Sequence, residues 1–239
     1  MGLNDFTVKE FRPLPLFILA DVSGSMKGEK INVLNLSIKE MISSLSNVDD
    51  IRGRFQICII TFGEEVKVHQ PLSDVDKVSF TELTASGNTA MGQAFVLAKS
   101  IIEDRTQVPS RAFAPTVVLV SDGLPDRDGL PKYELQPTIT TKEYLDWEPL
   151  KQFHNSTRSS KCLRLAMGIG DDVDDNMLKA FINNDEIPVI RSRDAGGIAK
   201  FFKWVTMSTV NRMNSADPNS PLTMFPFGFE KDENDEIIF

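Results

Sequence analysis

Short, wholly apolar runs that alternate with longer amphipathic segments constrain the fold of this chain most. The run LPLFILA at residues 14–20 has no polar position, which is typical of a strand buried on both faces of a parallel sheet. The next segment, 28–46, places its apolar residues at helical spacing along one side. Because this alternation recurs along the sequence, it predicts a parallel sheet with helices packed against it.

The remaining elements follow the same pattern. We predict further strands at 54–63, 64–74, 114–123, 161–170 and 187–191, and further helices at 88–105, 147–159, 174–184 and 196–213. A short link containing Gly63 joins the first two of these strands, which indicates a hairpin whose second strand lies at an edge. The predicted fold class is therefore α/β: a Rossmann-like doubly wound, mostly parallel sheet with one antiparallel edge strand and helices on both faces.

The composition divides the chain into three parts. A chain of 239 residues is long enough for one large α/β domain, which we place at 12–212 after a short N-terminal extension at 1–11. Residues 124–146 contain three prolines and no sustained period, so we predict an irregular insertion there. The segment 213–239 is rich in acidic residues, and we predict that it is a flexible tail.

Charge and cysteine content exclude several classes of function. The net charge of −8 disfavours binding to nucleic acid. Cys58 and Cys162 lie inside apolar runs, so we interpret them as core residues rather than as a disulfide or a thiolate metal site. Neither a signal peptide nor an apolar run of about 18 residues is present, so we expect a cytoplasmic protein without a membrane partner.

Oxygen-bearing side chains follow two of the predicted strands and precede one helix. Asp21, Ser23 and Ser25 come directly after the first strand, Thr89 lies in a glycine-containing turn before a helix, and Asp122 ends the strand TVVLVSD. Because ligands bind at the carboxyl ends of parallel strands, we expect these five side chains to meet at one edge of the sheet. Such oxygen donors suit a hard cation, Mg²⁺ first, with Ca²⁺ and Mn²⁺ as alternatives.

The sequences DVSGS, SGNTAMG and VSDG, in that order, resemble the metal-ion-dependent adhesion site of the von Willebrand factor A domain family, over about residues 12–210. The resemblance implies that Ser23, Ser25 and Thr89 bind Mg²⁺ directly, while Asp21 and Asp122 act largely through bound waters. Neutral ligands leave most of the ionic charge uncompensated, so an open coordination position attracts an Asp or Glu side chain of another protein. The family thus implies a protein-interaction module and not an enzyme.

Two further stretches, GSMKGEK and GIGDDVDDNML, resemble the compact bacterial intracellular branch that is similar to the tellurium-resistance protein TerY. This resemblance implies a role in tellurium resistance or a phosphorylation-linked stress response. It also implies a protein kinase and a PP2C-type phosphatase as partners. We expect a monomer or a weak oligomer.

Two other functions stay open at the level of sequence. A metal-independent structural scaffold of a multiprotein complex would keep the fold, but would not require the three hydroxyl residues together. A Mg²⁺-dependent hydrolase is less favoured because no Gly-x-Ser-x-Gly elbow occurs, and His69 and His154 are predicted on an edge strand and a short helix. Asp126 and Asp128 are interpreted as an acidic turn, because the EF-hand pattern is not met.

Overall fold

A computed structural model describes residues 11–48, 53–125 and 138–219, together with the backbone of 230–231 and 237–238. Within these residues the strands are β1 (Arg12–Asp21), β2 (Gly53–Phe62), β3 (Val66–Asp74), β4 (Thr116–Ser121), β5 (Leu163–Ile169), β6 (Ile190–Ser192), β7 (Glu230–Lys231) and β8 (Ile237–Ile238). The helices are α1 (Glu29–Ser46), α2 (Met91–Glu103), α3 (Thr141–Asp146), α4 (Glu148–Asn155), α5 (Asp175–Ile182) and α6 (Gly196–Asn214).

The strands form one sheet in the order β3-β2-β1-β4-β5-β6-β8-β7. From β2 to β8 neighbouring strands run parallel, and β3 pairs antiparallel with β2 at one edge. This arrangement confirms the predicted fold class, including the antiparallel edge strand. The chain passes from β1 to one side of the sheet and later returns to β4 on the other side. A crevice for a ligand is therefore expected between β1 and β4.

Helices cover both faces of the sheet, which explains why the central strands are apolar throughout. α1 and α6 pack together, and α2, α4 and α5 form a second layer. In that second layer the rings of Phe95 and Phe181 stack with centroids 5.3 Å apart, and Phe153 packs against both. Cys58 and Cys162 are buried and unbonded to each other, as predicted for core residues.

The structure corrects the prediction of an irregular insertion at 124–146. Its last six residues form α3, whose first turn has a capping box: the Thr140 hydroxyl accepts from the Glu143 N–H, and the Glu143 carboxylate accepts from the Thr140 N–H. Tyr144 is buried, and its hydroxyl donates to Asp174 at 2.9 Å, which ties α3 to the start of α5. Residues 126–137, with Asp126 and Asp128, lie outside the described residues.

Most of the predicted N-terminal extension and tail also lies outside the described residues. Where the structure describes the tail, its backbone continues the sheet: β8 pairs parallel with β6, and β7 pairs antiparallel with β8. The prediction of a flexible tail did not include these pairings. The pairing of β8 with β6 is favoured because β6 would otherwise leave a row of unpaired backbone groups at the sheet edge. In the described part of the chain, no helix is long and apolar enough to cross a membrane.

Candidate metal centre

The carboxyl ends of β1 and β4 bring two buried carboxylates together. The two strands are parallel, with Ala20 opposite Val120, so Asp21 at the end of β1 lies beside Ser121, and Asp122 directly follows β4. The exposed fractions of Asp21 and Asp122 are 0% and 3%. The Ser121 hydroxyl, at the last position of β4, donates to Oδ2 of Asp21 across the gap between the strands.

The turn after β1 carries two hydroxyl groups into the same place. The Ser23 N–H donates to Oδ1 of Asp21 at 2.8 Å, an Asx-type contact that fixes the start of the turn. The Ser23 and Ser25 hydroxyl oxygens are 3.0 Å apart, and the Ser25 hydroxyl donates to Oδ1 of Asp122 at 2.7 Å. Four of the five predicted residues therefore form one continuous hydrogen-bonded chain.

The fifth residue, Thr89, lies on the loop before α2. The Gly24 N–H donates to the Gly87 carbonyl at 2.9 Å, which ties this loop to the turn after β1. A Cβ placed on Gly123 would lie 3.7 Å from the Thr89 hydroxyl oxygen, so Thr89 lies beside the residue that follows Asp122. The structure thus places all five predicted residues at one edge of the sheet.

The surroundings of Asp21 favour a cation at this edge. Burial raises the pKa of its carboxyl to about 6, although hydrogen bonds from Ser121 and Ser23 act in the opposite direction, and Asp122 adds a smaller rise. A positive charge close to a buried carboxylate stabilises its charged form further than neutral hydrogen-bond donors do. The hydrogen-bond donors that contact Asp21, from Ser23 and Ser121, are neutral.

Lys30 is a charged member of this cluster that the sequence analysis did not identify. Its Nζ, from the first turn of α1, lies 2.6 Å from Oδ2 of Asp122. The Lys30 side chain is 30% exposed, whereas that of Asp122 is fully buried. Lys30 offsets one of the two carboxylate charges, so the cluster keeps a formal charge of about −1.

The donor set fits a small hard cation. The Ser23 and Ser25 hydroxyl oxygens are 3.0 Å apart, close to the separation of about 2.9 Å between neighbouring oxygens around an octahedral Mg²⁺. Ser25 is exposed, so one side of the cluster opens to solvent. Among the described residues no group of three or more His, Cys, Asp or Glu side chains stands ready for a metal. A cation at this edge would therefore use hydroxyl oxygens as ligands, which magnesium accepts better than soft metals do.

Both histidine rings are hydrogen-bonded to backbone carbonyls outside this cluster. His154 on α4 bonds the Ala180 carbonyl at 2.9 Å, and burial, with a smaller contribution from Arg164, lowers its pKa to about 4. His69 on β3 bonds the Thr81 carbonyl at 2.7 Å. Neither ring is hydrogen-bonded to Asp21 or Asp122, so the geometry gives no support to a histidine-based hydrolase at this edge.

Comparison with known proteins gives one family match. A family model described as the von Willebrand factor type A domain matches residues 16–124, the stretch that contains all five predicted site residues. No curated protein sequence matches the chain. Among solved structures, a von Willebrand factor type A protein from Catenulispora acidiphila is similar with a TM-score of 0.56 and 19% identity, over 82% of this chain and 42% of that one.

Two further solved structures have the same fold. Proximal thread matrix protein 1 from the mussel byssus, described with a zinc-occupied MIDAS motif, aligns with a TM-score of 0.57 and 14% identity, over 82% of this chain and 48% of that one. The vWF domain of the pilus tip protein Mfa5 from Porphyromonas gingivalis aligns with a TM-score of 0.56 and 12% identity, over 84% and 96%.

These comparisons establish the fold. It is that of von Willebrand factor type A domains, and residues 16–124 match the model of that family. The chain spans less than half the length of the Catenulispora and mussel proteins, so their remaining parts have no counterpart in the alignment. At 12–19% identity these structures show a shared fold and leave the ligand of this chain to be argued from its own residues.

Proposed function

We propose that this protein is a metal-dependent interaction module that binds a carboxylate of a partner protein at the edge formed by β1 and β4. The observation that carries the proposal is the hydrogen-bonded chain of Asp21, Ser23, Ser25 and Asp122, which is buried at both ends and open to solvent at Ser25. Ser23, Ser25 and Thr89 would hold Mg²⁺, with Ca²⁺ and Mn²⁺ as alternatives, and the bound ion supplies an open position for an anionic oxygen.

The residues of this cluster have different roles in the proposed binding of a cation. Hydroxyl oxygens bind a cation through a lone pair while their hydrogens still donate, so Ser25 can keep its bond to Asp122 when it acts as a ligand. Asp21 orients Ser23 by accepting its backbone N–H, and Ser121 holds Asp21 in place. Because the direct ligands are neutral, the site attracts a carboxylate rather than repelling it.

The finer predictions from sequence form part of the same proposal. The mussel protein with a zinc-occupied MIDAS motif and the pilus tip protein support a divalent ion and a protein partner at this kind of fold. We propose a binding role without catalysis, in the cytoplasm. The TerY-like branch, with tellurium resistance, stress response and the kinase and phosphatase partners, stays a prediction from the sequence.

The proposal is tested by capture of partner proteins from cell extract with the tagged chain, in millimolar Mg²⁺ and in EDTA. We expect a protein that binds in Mg²⁺, is released by EDTA and fails to bind the Ser25→Ala variant. Ser43→Ala, an exposed serine on α1, is the matched control and should bind normally. Capture that survives both EDTA and Ser25→Ala would favour the alternative, a metal-independent scaffold.

A further inference from the structure

We call the edge of the sheet that carries Asp21, Ser23, Ser25, Thr89 and Asp122 the metal edge. A second polar depression lies next to it, and the function proposed above does not use this depression. This acidic pocket, of about 370 Å³, lies between the carboxyl end of β2, the start of β3 and the loop before α2. Three glutamates line it, Glu64, Glu65 and Glu82, together with two basic residues, Lys67 and His69, and the His69 ring bonds the Thr81 carbonyl. The three glutamate side chains are exposed, and no hydrogen bond or ion pair within the described residues engages their carboxylates.

A buried hydroxyl without a partner lies in the wall of the acidic pocket. Thr61, on β2, is 2% exposed, and among the described residues its Oγ1 makes no hydrogen bond. A buried hydroxyl is normally paired, so an unpaired one in a pocket wall indicates a place for a ligand atom or a water. A hydroxyl oxygen can accept from a cationic N–H group, which is the same chemistry that the three carboxylates favour.

The acidic pocket and the metal edge share backbone. Val22 lines the pocket and lies between Asp21 and Ser23 in the sequence. Its carbonyl accepts from the Ser86 N–H at 2.6 Å, and the Ser86 carbonyl accepts from the Glu64 N–H at 3.2 Å. Since consecutive Cα atoms are 3.8 Å apart, Val22 and Ser25 are separated by at most about 11 Å, a span that a few residues of extended peptide cover.

Gly87 contacts both Glu64 of the acidic pocket and Gly24 in the turn after β1. It has φ +79°, and a Cβ at this position would overlap the backbone and Cβ of Glu64. Only glycine combines this backbone conformation with so close an approach. The same residue accepts from Gly24 through its carbonyl, so the position of Glu64 and the turn that carries Ser23 and Ser25 depend on one another.

We propose that the acidic pocket receives a basic side chain, arginine best, from the same partner that presents a carboxylate to the metal edge. The inference rests on the proposed function. A metal ion is a poorer occupant, because the described residues contain no group of three acidic, His or Cys side chains close enough to hold one. A guanidinium carries five N–H donors on a plane, so it can serve separated carboxylates and the Thr61 hydroxyl together.

The experiment compares two series of capped peptides by calorimetry in millimolar Mg²⁺. Each peptide carries one glutamate and, after a short glycine run of varied length, either arginine or its neutral analogue citrulline. We expect the best arginine peptide to bind about tenfold more tightly than its citrulline counterpart. The combined variant Glu64→Gln, Glu65→Gln, Glu82→Gln should remove this preference. Glu186→Gln, an exposed glutamate that follows α5, is the control and should keep it.

The outcomes separate the two proposals. Equal, Mg²⁺-dependent binding of both series would overturn the acidic pocket and leave the proposed function standing. Absence of Mg²⁺-dependent binding for both series would contradict the proposed function. The acidic pocket is then tested with N-acetyl-arginine methylamide, which has no carboxylate, and failure of this probe to shift the amide resonance of Thr61 overturns the inference as well. Thr61→Val, which removes the hydroxyl at nearly constant volume, should weaken arginine binding about threefold.

Discussion

Charged side chains are buried at both ends of the central strands, but they are satisfied in different ways. At the amino ends, Arg212 donates to the Pro218 carbonyl, the Thr116 hydroxyl and the Ala114 carbonyl. At the carboxyl ends, Asp21 accepts from neutral donors, and Asp122 is shared between Ser25 and Lys30. We call the region around Arg212 the arginine end and the region around Asp21 and Asp122 the carboxylate end. The arginine end is a closed hydrogen-bonded network. The carboxylate end has two carboxylates against one lysine, and it opens to solvent at Ser25.

This difference separates a structural cluster from a binding one. Arg164 repeats the pattern of Arg212, since it donates to the carbonyls of Ile182, Ser160 and Cys162. Burial lowers the pKa of Arg212 to about 10, although nearby Cys162 and Asp217 act in the opposite direction. Substitutions at the arginine end should therefore change stability alone. Substitutions at the carboxylate end should change metal binding and leave the fold in place.

The largest expected effect is at the arginine end. Arg212→Leu removes the donor to the buried Thr116 hydroxyl and to two half-buried carbonyls, so we expect the free energy of unfolding to fall by about 3 kcal/mol. Lys203→Leu, an exposed residue of the same helix, is the matched control. Denaturant titration measures the loss, and calorimetry should find an unchanged Mg²⁺ affinity for the folded variant. A weakened affinity would mean that the two ends are coupled.

The second prediction, for the carboxylate end, is a loss of Mg²⁺ affinity with little change in stability. Asp21→Asn removes one of the two carboxylate charges but keeps the size of the side chain and one acceptor oxygen. The new NH2 group can donate to the Ser121 hydroxyl, which then accepts instead of donating. We expect Mg²⁺ affinity to fall about 100-fold, as for a residue that orients ligands and contributes charge. In EDTA the free energy of unfolding should stay within about 1 kcal/mol of the parent value, because the substitution removes a buried charge. A large loss of stability in EDTA would show that Asp21 is structural.

A third prediction concerns pH and His154, beside the arginine end. The pKa of His154 is about 4 in the folded protein and 6.5 ordinarily, so between these values the unfolded chain binds more protons. Stability should fall as pH drops from about 6.5 to 4, by about 2 kcal/mol after allowance for partial exposure. His154→Gln should lack this component in denaturant titrations across that range, whereas His69→Gln should retain it. An identical pH profile for parent and His154→Gln would contradict the assignment.

The smallest effect concerns Lys30, whose ammonium group already neutralises part of Asp122. Lys30→Gln removes a positive charge beside the proposed cation, so we expect Mg²⁺ to bind about fivefold more tightly at low salt. Lys27→Gln makes the same change of net charge from an exposed position and should alter the affinity little. Calorimetric titration of both variants distinguishes a local effect from a general one. Weaker binding in Lys30→Gln would mean that Lys30 helps to hold Asp122 as a ligand.

The sequence analysis identified candidate residues of the carboxylate end, but it did not identify two residues that contact them. Asp21, Ser23 and Ser25 could be placed because they follow a strand at fixed spacing, and Asp122 because β4 lies beside β1. Lys30 and Ser121 were missed, since their contacts depend on how the turn after β1 aims the first residues of α1 and on which face of β4 meets Asp21. Neither direction is encoded in spacing alone.

The same reasoning explains the errors in the fold. The capping box at Thr140 and Glu143 is visible in the sequence, but the prolines before it directed the prediction towards an irregular segment. β7 and β8 are two residues long each, too short to show any period. Their pairing depends on where β6 ends, which is a property of the assembled sheet.

The central claim is that the hydroxyl and carboxylate groups at the β1–β4 edge hold a divalent cation in the folded protein. Thermal unfolding of the parent chain and of Ser25→Ala, in EDTA and in millimolar Mg²⁺, tests it most directly, because a ligand that binds only the folded form raises the midpoint. The account predicts that Mg²⁺ raises the midpoint of the parent chain and leaves that of Ser25→Ala unchanged. The same midpoint for the parent chain in Mg²⁺ and in EDTA would contradict it.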